Sequence, residues 1–281
     1  APLDLRVNSL KADRETVASA LSDYSPTATR WSPAGLRIRL SADARSPAIH
    51  AEPAFLKGQI EIQDEASQLA VLFTQAKPGE QVVDLCAGAG GKTLALAAMM
   101  ENKGQIFATD DDKRRLAPIH ERLRRSGARN VQVRTPKSVG TEIDDLVGRM
   151  DLVLVDAPCT GTGVWRRNPD AKWRVRPGAL EQRQKDQVDV LDRAAPLVKP
   201  GGRIVYVTCS VLEEENGAQV RAFGLRRSEF EVLAPMQAAQ ALGERAFMFA
   251  QAARLSDAGI SLSPYATETD GFFIAVLRRN R

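Results

Sequence analysis

The sequence has few of the residues that bind metals, cross-link chains or cross membranes. It contains three cysteines and two histidines in 281 residues. An odd cysteine count without CxxC spacing argues against a disulfide framework and is typical of a reducing compartment, so we expect a cytoplasmic protein. His50 and His120 are too few and too far apart to indicate a zinc site, and we expect no metal. No apolar run approaches the roughly 18 residues that span a bilayer, so we expect neither a membrane span nor a secretory signal.

Positive charge is concentrated in two segments, although the net charge is only +4. Residues 165–176 combine five cations and two tryptophans with a single acid, Asp170. Cations neutralise phosphates and aromatic rings stack on unpaired bases, so this mixture indicates a nucleic-acid partner. Five arginines between residues 114 and 125 form the other group, on a predicted helix, for which a solvated helix face is an equally good explanation.

The first 53 residues indicate a small α+β domain. Leu3–Val7 and the alternating segment Gly35–Leu40 predict strands, and Asp13 can cap a helix over Arg14–Leu21. The stretch 41–53 is rich in Pro, Ser and Ala and predicts a connection. We therefore place a small N-terminal domain, facing the nucleic acid, at residues 1–53 and a larger domain at residues 54–281.

In the larger domain predicted strands alternate with predicted helices, which is typical of a mostly parallel, doubly wound α/β sheet. Seven strands are predicted, at Val82–Leu85, Ile106–Thr109, Val131–Val133, Leu152–Val155, Ile204–Val207, Glu229–Leu233 and Phe272–Leu277. Helices are predicted at Glu65–Gln75 with Asp64 as cap, Thr93–Met100, Asp112–Arg125 and Ala179–Leu197. Most of residues 234–264 show no clear pattern.

A glycine-rich segment, Asp84-Leu85-Cys86-Ala87-Gly88-Ala89-Gly90-Gly91-Lys92-Thr93, follows the first strand of the larger domain. Its glycines let the backbone approach a ligand, and the next helix offers free N–H groups. A phosphate-binding P-loop needs glycine at position 86, so the Gly91-Lys92-Thr93 ending is only a partial match. An adenosyl ligand needs an acid at the end of the second strand, and Asp110 stands there, about 20 residues further on.

Two of the three cysteines come directly after predicted buried strands. Cys159 stands in Asp156-Ala157-Pro158-Cys159, and Cys209 stands in Thr208-Cys209-Ser210. Open α/β sheets bind ligands at the carboxyl ends of their strands, and neighbouring strands lie about 4.8 Å apart, so both thiols can face one substrate base. The alternatives are a turn carboxylate for Asp156 and a small buried hydrophobe for Cys159. Cys86 is expected to pack rather than react.

The segment after Cys209 has the spacing of a capping box, with Ser210 and Glu213 three residues apart. This predicts a helix that begins beside Cys209. The N-terminus of that helix would favour the thiolate form of Cys209. The three glutamates Glu213, Glu214 and Glu215 would oppose that effect if they lie close.

These motifs resemble those of the RNA 5-methylcytosine methyltransferases of the bacterial Fmu/Sun and eukaryotic nucleolar NOL/NOP/Sun group, of the type that acts on small-subunit ribosomal RNA. The likeness covers nearly the whole chain and includes both cysteine motifs in the same order. It implies a Rossmann-like class I methyltransferase domain, with a mostly parallel seven-stranded sheet, behind a small N-terminal α+β domain. The matching segments are 5–10, 63–67, the glycine-rich segment, 156–173, 208–216 and 269–273.

The chain departs from the family pattern in two places. The family's usual Ala-Pro-Gly-Gly-Lys is replaced by Gly88-Ala89-Gly90-Gly91-Lys92, which keeps the last two glycines and the lysine but loses the proline. After the third strand, Arg134-Thr135-Pro136 replaces a Gly-Asp pair that the family often places near the adenine. We therefore expect the cofactor to bind through a more flexible loop. Some relatives also carry a further RNA-binding domain before the region that matches this chain.

The resemblance implies covalent catalysis. Cys209 would attack C6 of cytosine, because C5 alone is too weak a nucleophile to take a methyl group, and Cys159 would assist release. DNA cytosine methyltransferases attack with a Pro-Cys thiol, which makes Cys159 the rival nucleophile. Asp156 would hydrogen-bond the base edge, and Lys92 would contact the base or order the loop.

The resemblance also implies S-adenosylmethionine as cofactor, with S-adenosylhomocysteine as its product, and RNA as partner. The expected cofactor-binding residues are Asp84, Cys86, Ala87, Gly88, Ala89, Gly90, Gly91, Lys92, Asp110, Arg115 and Asp156. The expected RNA-binding residues are Arg166, Arg167, Lys172, Trp173 and Arg174. A thiol can reach C6 only if the target base is unpaired or flipped.

The sequence thus predicts a monomeric RNA cytosine-C5 methyltransferase, with ribosomal RNA favoured over tRNA. A DNA methyltransferase would need a base-specific target domain, for which the segment after Ala234 is too short. A catalytically idle RNA-binding assembly factor would need neither Cys159 nor Cys209. A P-loop ATPase is disfavoured by Cys86.

Overall fold

The computed structural model describes residues 1–40, 47–136 and 143–281, and part of the predicted connection 41–53 therefore lies outside the described residues. The strands are β1 (Leu3–Val7), β2 (Thr27–Ala28), β3 (Gly35–Ile38), β4 (Ile60–Ile62), β5 (Gln81–Asp84), β6 (Gln105–Thr109), β7 (Val131–Arg134), β8 (Met150–Asp156), β9 (Val198–Thr208), β10 (Phe230–Val232), β11 (Arg254–Leu255), β12 (Ile260–Leu262) and β13 (Phe272–Arg279). The helices are α1 (Arg14–Ala20), α2 (Pro53–Leu56), α3 (Glu65–Leu72), α4 (Gly91–Met99), α5 (Lys113–Leu116), α6 (Ile119–Ser126), α7 (Ala179–Ala194), α8 (Gly217–Arg226), α9 (Pro235–Ala239) and α10 (Ala246–Ala252). In the described ranges no helix combines the length and apolarity needed to cross a bilayer.

The N-terminal part of the chain forms an antiparallel sheet in the order β2-β3-β1-β4. Asp13 caps α1, as predicted, by accepting a hydrogen bond from the Thr16 amide. The strand Ile60–Ile62 pairs with β1, although it follows the predicted boundary between residues 53 and 54. Sheet membership would end the N-terminal unit after Ile62, and the boundary itself stays a prediction.

The larger sheet confirms the doubly wound α/β architecture. Its order is β11-β12-β13-β9-β8-β5-β6-β7, with β10 paired to β13. The five strands from β9 to β7 are parallel, and β13 runs antiparallel to β9. All seven predicted strands are present. The structure adds β11 and β12 in the segment that showed no pattern, because strands of two or three residues are too short to show an alternation.

The sheet is covered on both faces, and alternate residues of one strand point to opposite sides. In β8, Leu152 and Leu154 belong to the core beneath α3, α4 and α10. Their neighbours Val153 and Val155 belong to the core beneath α7 and α8. The central strand β8 is therefore buried on both faces, whereas β7 at the edge is partly exposed, and the polar carboxyl ends of the parallel strands are left to form a site.

Two helix predictions are wrong in detail. The predicted helix Asp112–Arg125 is two helices, α5 and α6, separated at Pro118, which has no N–H to donate to the preceding turn. Asp112 still caps the first of them. The predicted helix beside Cys209 is absent: Ser210 Oγ accepts a hydrogen bond from the amide of Leu212, and α8 begins only at Gly217. The thiol of Cys209 therefore gains nothing from a helix that begins beside it.

Candidate active site

The two cysteine loops meet where the strands β8 and β9 end. These strands are parallel neighbours, with Asp156 opposite Val207. The Sγ atoms of Cys159 and Cys209 lie 3.4 Å apart, although the residues are 50 positions apart in the chain. The Gly163 amide donates to the Cys209 carbonyl at 2.9 Å, which ties one loop to the other. The structure thus brings both predicted thiols together, and that they face one substrate base stays a prediction.

The two thiols influence each other's protonation. The hydrogen bond to Cys159 raises the pKa of Cys209, and burial and the charge of Asp156 raise it further, whereas Lys92 opposes them. The same hydrogen bond lowers the pKa of Cys159, although burial acts against this. Two thiolates at this distance would repel, so the pair loses a first proton far more readily than a second. The reactive form of the pair carries one negative charge.

Lys92 and Asp156 form an ion pair beside the thiols. Lys92 lies in the first turn of α4, and its Nζ is 2.7 Å from Oδ2 of Asp156. Burial lowers the pKa of Lys92, but the charge of Asp156 and its hydrogen bond outweigh this, so the pKa lies above the ordinary value. The Nζ also lies 5.6 Å from the ring centre of Phe272. Lys92 is thus held as a cation that favours a thiolate on Cys209.

The glycine-rich segment contacts Asp110 at the end of β6. The Gly88 amide donates to Oδ2 of Asp110 at 2.9 Å, and Arg115 lies 3.7 Å from the same oxygen. Gly88 has a φ of +50°, and a Cβ added there would only reach ordinary contact with Arg115 and Asp110. This places the backbone of residue 88 close to the expected ribose-binding acid.

A cavity of about 340 Å³ opens at this end of the sheet. Three predicted cofactor residues line it, namely Cys86, Asp110 and Arg115. Burial raises the pKa of Cys86, in keeping with a thiol that packs. The other residues that line the cavity are Asp111, Asp112, Pro158, Arg183, Asp186, Asp189, Val190 and Arg193.

The remaining predicted cofactor residues lie deeper or face elsewhere. Asp84 is fully buried and accepts a hydrogen bond from Thr93 Oγ1 at 2.7 Å, and its Oδ1 has no hydrogen-bond partner in the structure. Gly90 packs against Ile119 of α6, and the Ala89 carbonyl accepts a hydrogen bond from Arg122 at 2.8 Å. The second half of the glycine-rich segment is therefore anchored by α6.

Another cavity, of about 310 Å³, includes Cys159. Of the predicted RNA-binding residues, Arg174 lines it. Trp173 is 81% exposed, and Lys172 lies 4.8 Å from the centre of its ring. The other residues that line this cavity are Thr160, Ala171, Val175, Arg176, Ala179 and Arg183.

Arg166 and Arg167 point inward rather than into this cavity. Arg167 contacts Oδ2 of Asp64 at 2.7 Å and Oδ2 of Asp270 at 2.6 Å, and Arg166 pairs with the same two carboxylates. Asp64 also caps α3, as predicted, through the amide of Ala66. These arginines join the loop after Cys159 to α3 and to the start of β13, and their contact with RNA stays a prediction.

Glu215 is a supporting residue that sequence reasoning named only as a charge opposing the Cys209 thiolate, and its charge does raise the pKa of Cys159. It is fully buried and accepts hydrogen bonds from the Thr160 amide at 2.8 Å and from Gln187 at 3.1 Å. Gln187 also donates to the Pro158 carbonyl at 3.0 Å. The network holds the residues on either side of Cys159. The only signal in the sequence was the family match at Glu215-Asn216, which does not name the partners.

A family model described as 16S rRNA methyltransferase RsmB/F matches residues 71–278. The probable ribosomal RNA small subunit methyltransferase B of Synechocystis sp. is 32% identical, over 99% of this chain and 60% of that protein. The chain spans about 60% of the length of the curated relatives it matches.

Two solved structures share the fold. A methyltransferase homologue from Pyrococcus horikoshii has a TM-score of 0.73 and 32% identity, over 99% of this chain and 86% of that one. NSun6 from the same organism, solved with SFG, has a TM-score of 0.79 and 21% identity, over 100% of this chain and 91% of that one. The expected class I methyltransferase fold is confirmed, and the chain belongs to the 16S rRNA methyltransferase RsmB/F family.

Proposed function

We propose that this protein transfers the methyl group of S-adenosylmethionine to C5 of a cytosine in small-subunit ribosomal RNA. The observation that carries the proposal is the pair of thiols, 3.4 Å apart, at the ends of two adjacent parallel strands. Binding alone would require neither thiol, which disfavours a catalytically idle RNA-binding factor. Ribosomal RNA is preferred to tRNA because the Synechocystis relative is named for ribosomal RNA.

The cavity beside the glycine-rich segment has the chemistry that an adenosyl cofactor needs. Asp110 offers a carboxylate for the ribose hydroxyls, and Gly88 leaves room beside it. When bound there, S-adenosylmethionine supplies an electrophilic methyl group on a sulfonium. The surrounding carboxylates also suit its positive charge.

The reaction begins with addition of the Cys209 thiolate to C6 of the cytosine. The new S–C6 bond moves electrons toward C5, which then has the nucleophilicity to take the methyl group. Lys92 favours the thiolate, and Asp156, which pairs with Lys92 at the end of β8, hydrogen-bonds the base edge. Cys159 then helps to pass the C5 proton to solvent, the electrons of the C5–H bond re-form the C5=C6 double bond as the S–C6 bond breaks, and Cys209 leaves as a thiolate.

The proposal is tested by methyl transfer from labelled S-adenosylmethionine to RNA, with the wild type, Cys209→Ala and Cys159→Ala compared. We expect label at C5 of free RNA in the wild type and loss of this released product in both variants. Denaturing electrophoresis should show a stable protein–RNA adduct only in Cys159→Ala, because Cys209 can still attack but release is blocked. Thermal unfolding of each variant checks that it is folded.

Each alternative has its own result in this experiment. An adduct with Cys209→Ala, and none with Cys159→Ala, would make Cys159 the nucleophile. Full transfer by both variants would exclude covalent catalysis by either thiol. No transfer by the wild type to naked RNA or to small-subunit particles would contradict the methyltransferase proposal. Action in the cytoplasm as a monomer stays a prediction.

A further inference from the structure

The two cavities at the active site differ in charge. The cavity of about 340 Å³ beside the glycine-rich segment is the proposed cofactor cavity. Five aspartates and three arginines line it. The cavity that includes Cys159 is lined by three arginines, Arg174, Arg176 and Arg183, and by no acidic residue. Only Arg183 belongs to both cavities, so it lies between them. An acidic cavity suits a sulfonium, whereas a basic one suits an anion.

Arg176 differs from the other two arginines in having no side-chain partner within the part of the chain that the structure describes. Arg174 pairs with Asp170, and Arg183 lies 2.9 Å from Asp186. Among the described residues, no carboxylate or hydrogen-bond acceptor binds the guanidinium of Arg176. Its backbone is nonetheless held, because the Arg176 carbonyl accepts a hydrogen bond from the Ala179 amide at the start of α7. The cation is therefore carried by an ordered turn and is available to a ligand.

We propose that Arg176 binds the phosphodiester next to the target nucleotide, with Arg183 supporting it. The inference rests on the proposed function. A base that contacts the thiols leaves its sugar and phosphates in the cavity that Cys159 lines, and there the unpaired cation is Arg176. A guanidinium binds a phosphate through two parallel N–H···O bonds. Trp173 and Lys172, which are both exposed, would then contact the RNA strand where it leaves the site.

The test measures binding rather than turnover. A fluorescent oligoribonucleotide with a single cytosine is titrated with the wild type and with Arg176→Gln, in several salt concentrations and without cofactor. We expect roughly tenfold weaker binding by the variant, as for loss of one charge-assisted contact. For the variant, the slope of the logarithm of the binding constant against the logarithm of the salt concentration should also be shallower by about 0.7, which is the value for one phosphate contact to a single strand. Arg176→Lys should restore part of the affinity.

Two controls make the test specific. Arg129→Gln removes an exposed arginine that precedes β7, at the opposite end of the sheet, and should leave binding unchanged. An oligoribonucleotide with a neutral methylphosphonate beside the cytosine should bind the wild type as weakly as normal RNA binds Arg176→Gln. Arg176→Gln should bind this neutral RNA as tightly as it binds normal RNA, because the variant already lacks the contact with that phosphate.

The outcomes separate this inference from the proposed function. Unchanged affinity and salt dependence in Arg176→Gln, or equal losses from the neutral linkage in wild type and variant, would overturn the phosphate site. Specific loss in Arg176→Gln supports the site even if the wild type methylates no RNA, a result that would count against the proposed reaction alone. Weak binding by Arg129→Gln as well would reduce the effect to general charge and contradict the inference.

Discussion

Single side chains in this site are governed by burial. Lys92 and Asp156 can keep their charges because they face each other, and the thiols can lose one proton because they share it. Asp84 has no such cation in direct contact. Its hydrogen bond from Thr93 favours the ionised form, but burial dominates and raises the pKa of Asp84 to about 7. The ionised form of Asp84 is therefore disfavoured in the folded protein.

The free energy of unfolding should fall as Asp84 ionises. Its pKa when folded, about 7, lies above the ordinary value of 3.8, so between these two pH values the folded state holds a proton that the unfolded state has lost. This contribution is complete below pH 4 and is lost as pH rises to 7, by up to about 1.4 kcal/mol per pH unit. Asp84→Asn removes this loss.

Urea unfolding at pH 4.5 and pH 7 measures this effect. The wild type should lose more stability across that interval than Asp84→Asn does. Asp23→Asn, which changes an exposed carboxylate, should follow the wild type. Parallel pH dependence in the wild type and Asp84→Asn would show that Asp84 does not titrate in this range.

At the scale of elements, the first turn of α4 is fitted to α6. Gly90 begins this turn with a φ of +84°, and a Cβ there would lie 2.5 Å from Cγ1 of Ile119. Gly79 has a similar φ of +94°, but nothing lies within 4 Å of its Cβ position. The two glycines share the backbone strain and differ only in the steric clash.

Gly90→Ala should therefore destabilise the protein more than Gly79→Ala. We expect about 1 kcal/mol for Gly79→Ala, from the left-handed backbone alone, and about 2–4 kcal/mol for Gly90→Ala. Cofactor affinity, measured by calorimetry with S-adenosylhomocysteine, should fall only in Gly90→Ala. Equal losses of stability in the two variants would mean that Ile119 of α6 moves aside without a loss of free energy.

Elements also show where local patterns fail. The capping-box spacing at Ser210 and Glu213 predicts a helix, but Thr208 Oγ1 and the amide group of Asn216 form hydrogen bonds across this segment. A network that crosses the segment holds a turn where four residues alone favour a helix start. The break at Pro118 is the opposite case, since its cause is visible in the sequence.

At the scale of the whole molecule, ion pairs join parts that are far apart in sequence. Arg167 bonds Asp64 at the start of α3, Asp270 before β13 and the Pro2 carbonyl. Trp31 adds an apolar link, because it is buried beside Phe249 and donates to the Thr267 carbonyl at 2.9 Å. The N-terminal sheet and the active-site loop are thus held against one core.

Arg167→Met should cost about 3–5 kcal/mol of stability, because it leaves two buried carboxylates with one cation between them. Arg174→Met removes an exposed ion pair and should cost less than about 1 kcal/mol. Chemical denaturation at neutral pH gives both values. Burial raises the pKa of Asp270, so the loss in Arg167→Met should shrink at acidic pH as this carboxylate takes up a proton, and a loss independent of pH would point to packing instead.

The sequence by itself determined which functional residues follow which strand. A glycine-rich segment follows one strand, Asp110 follows the next, and a cysteine follows each of two more. Those positions follow from local hydropathy and from the geometry of parallel sheets. Only the tertiary structure decided that the thiols meet at 3.4 Å, that Arg166 and Arg167 bind Asp64 and Asp270, and that Ile60–Ile62 pairs with β1. Such contacts join residues 50 to 104 positions apart, and their free energy comes from partners that no local pattern specifies.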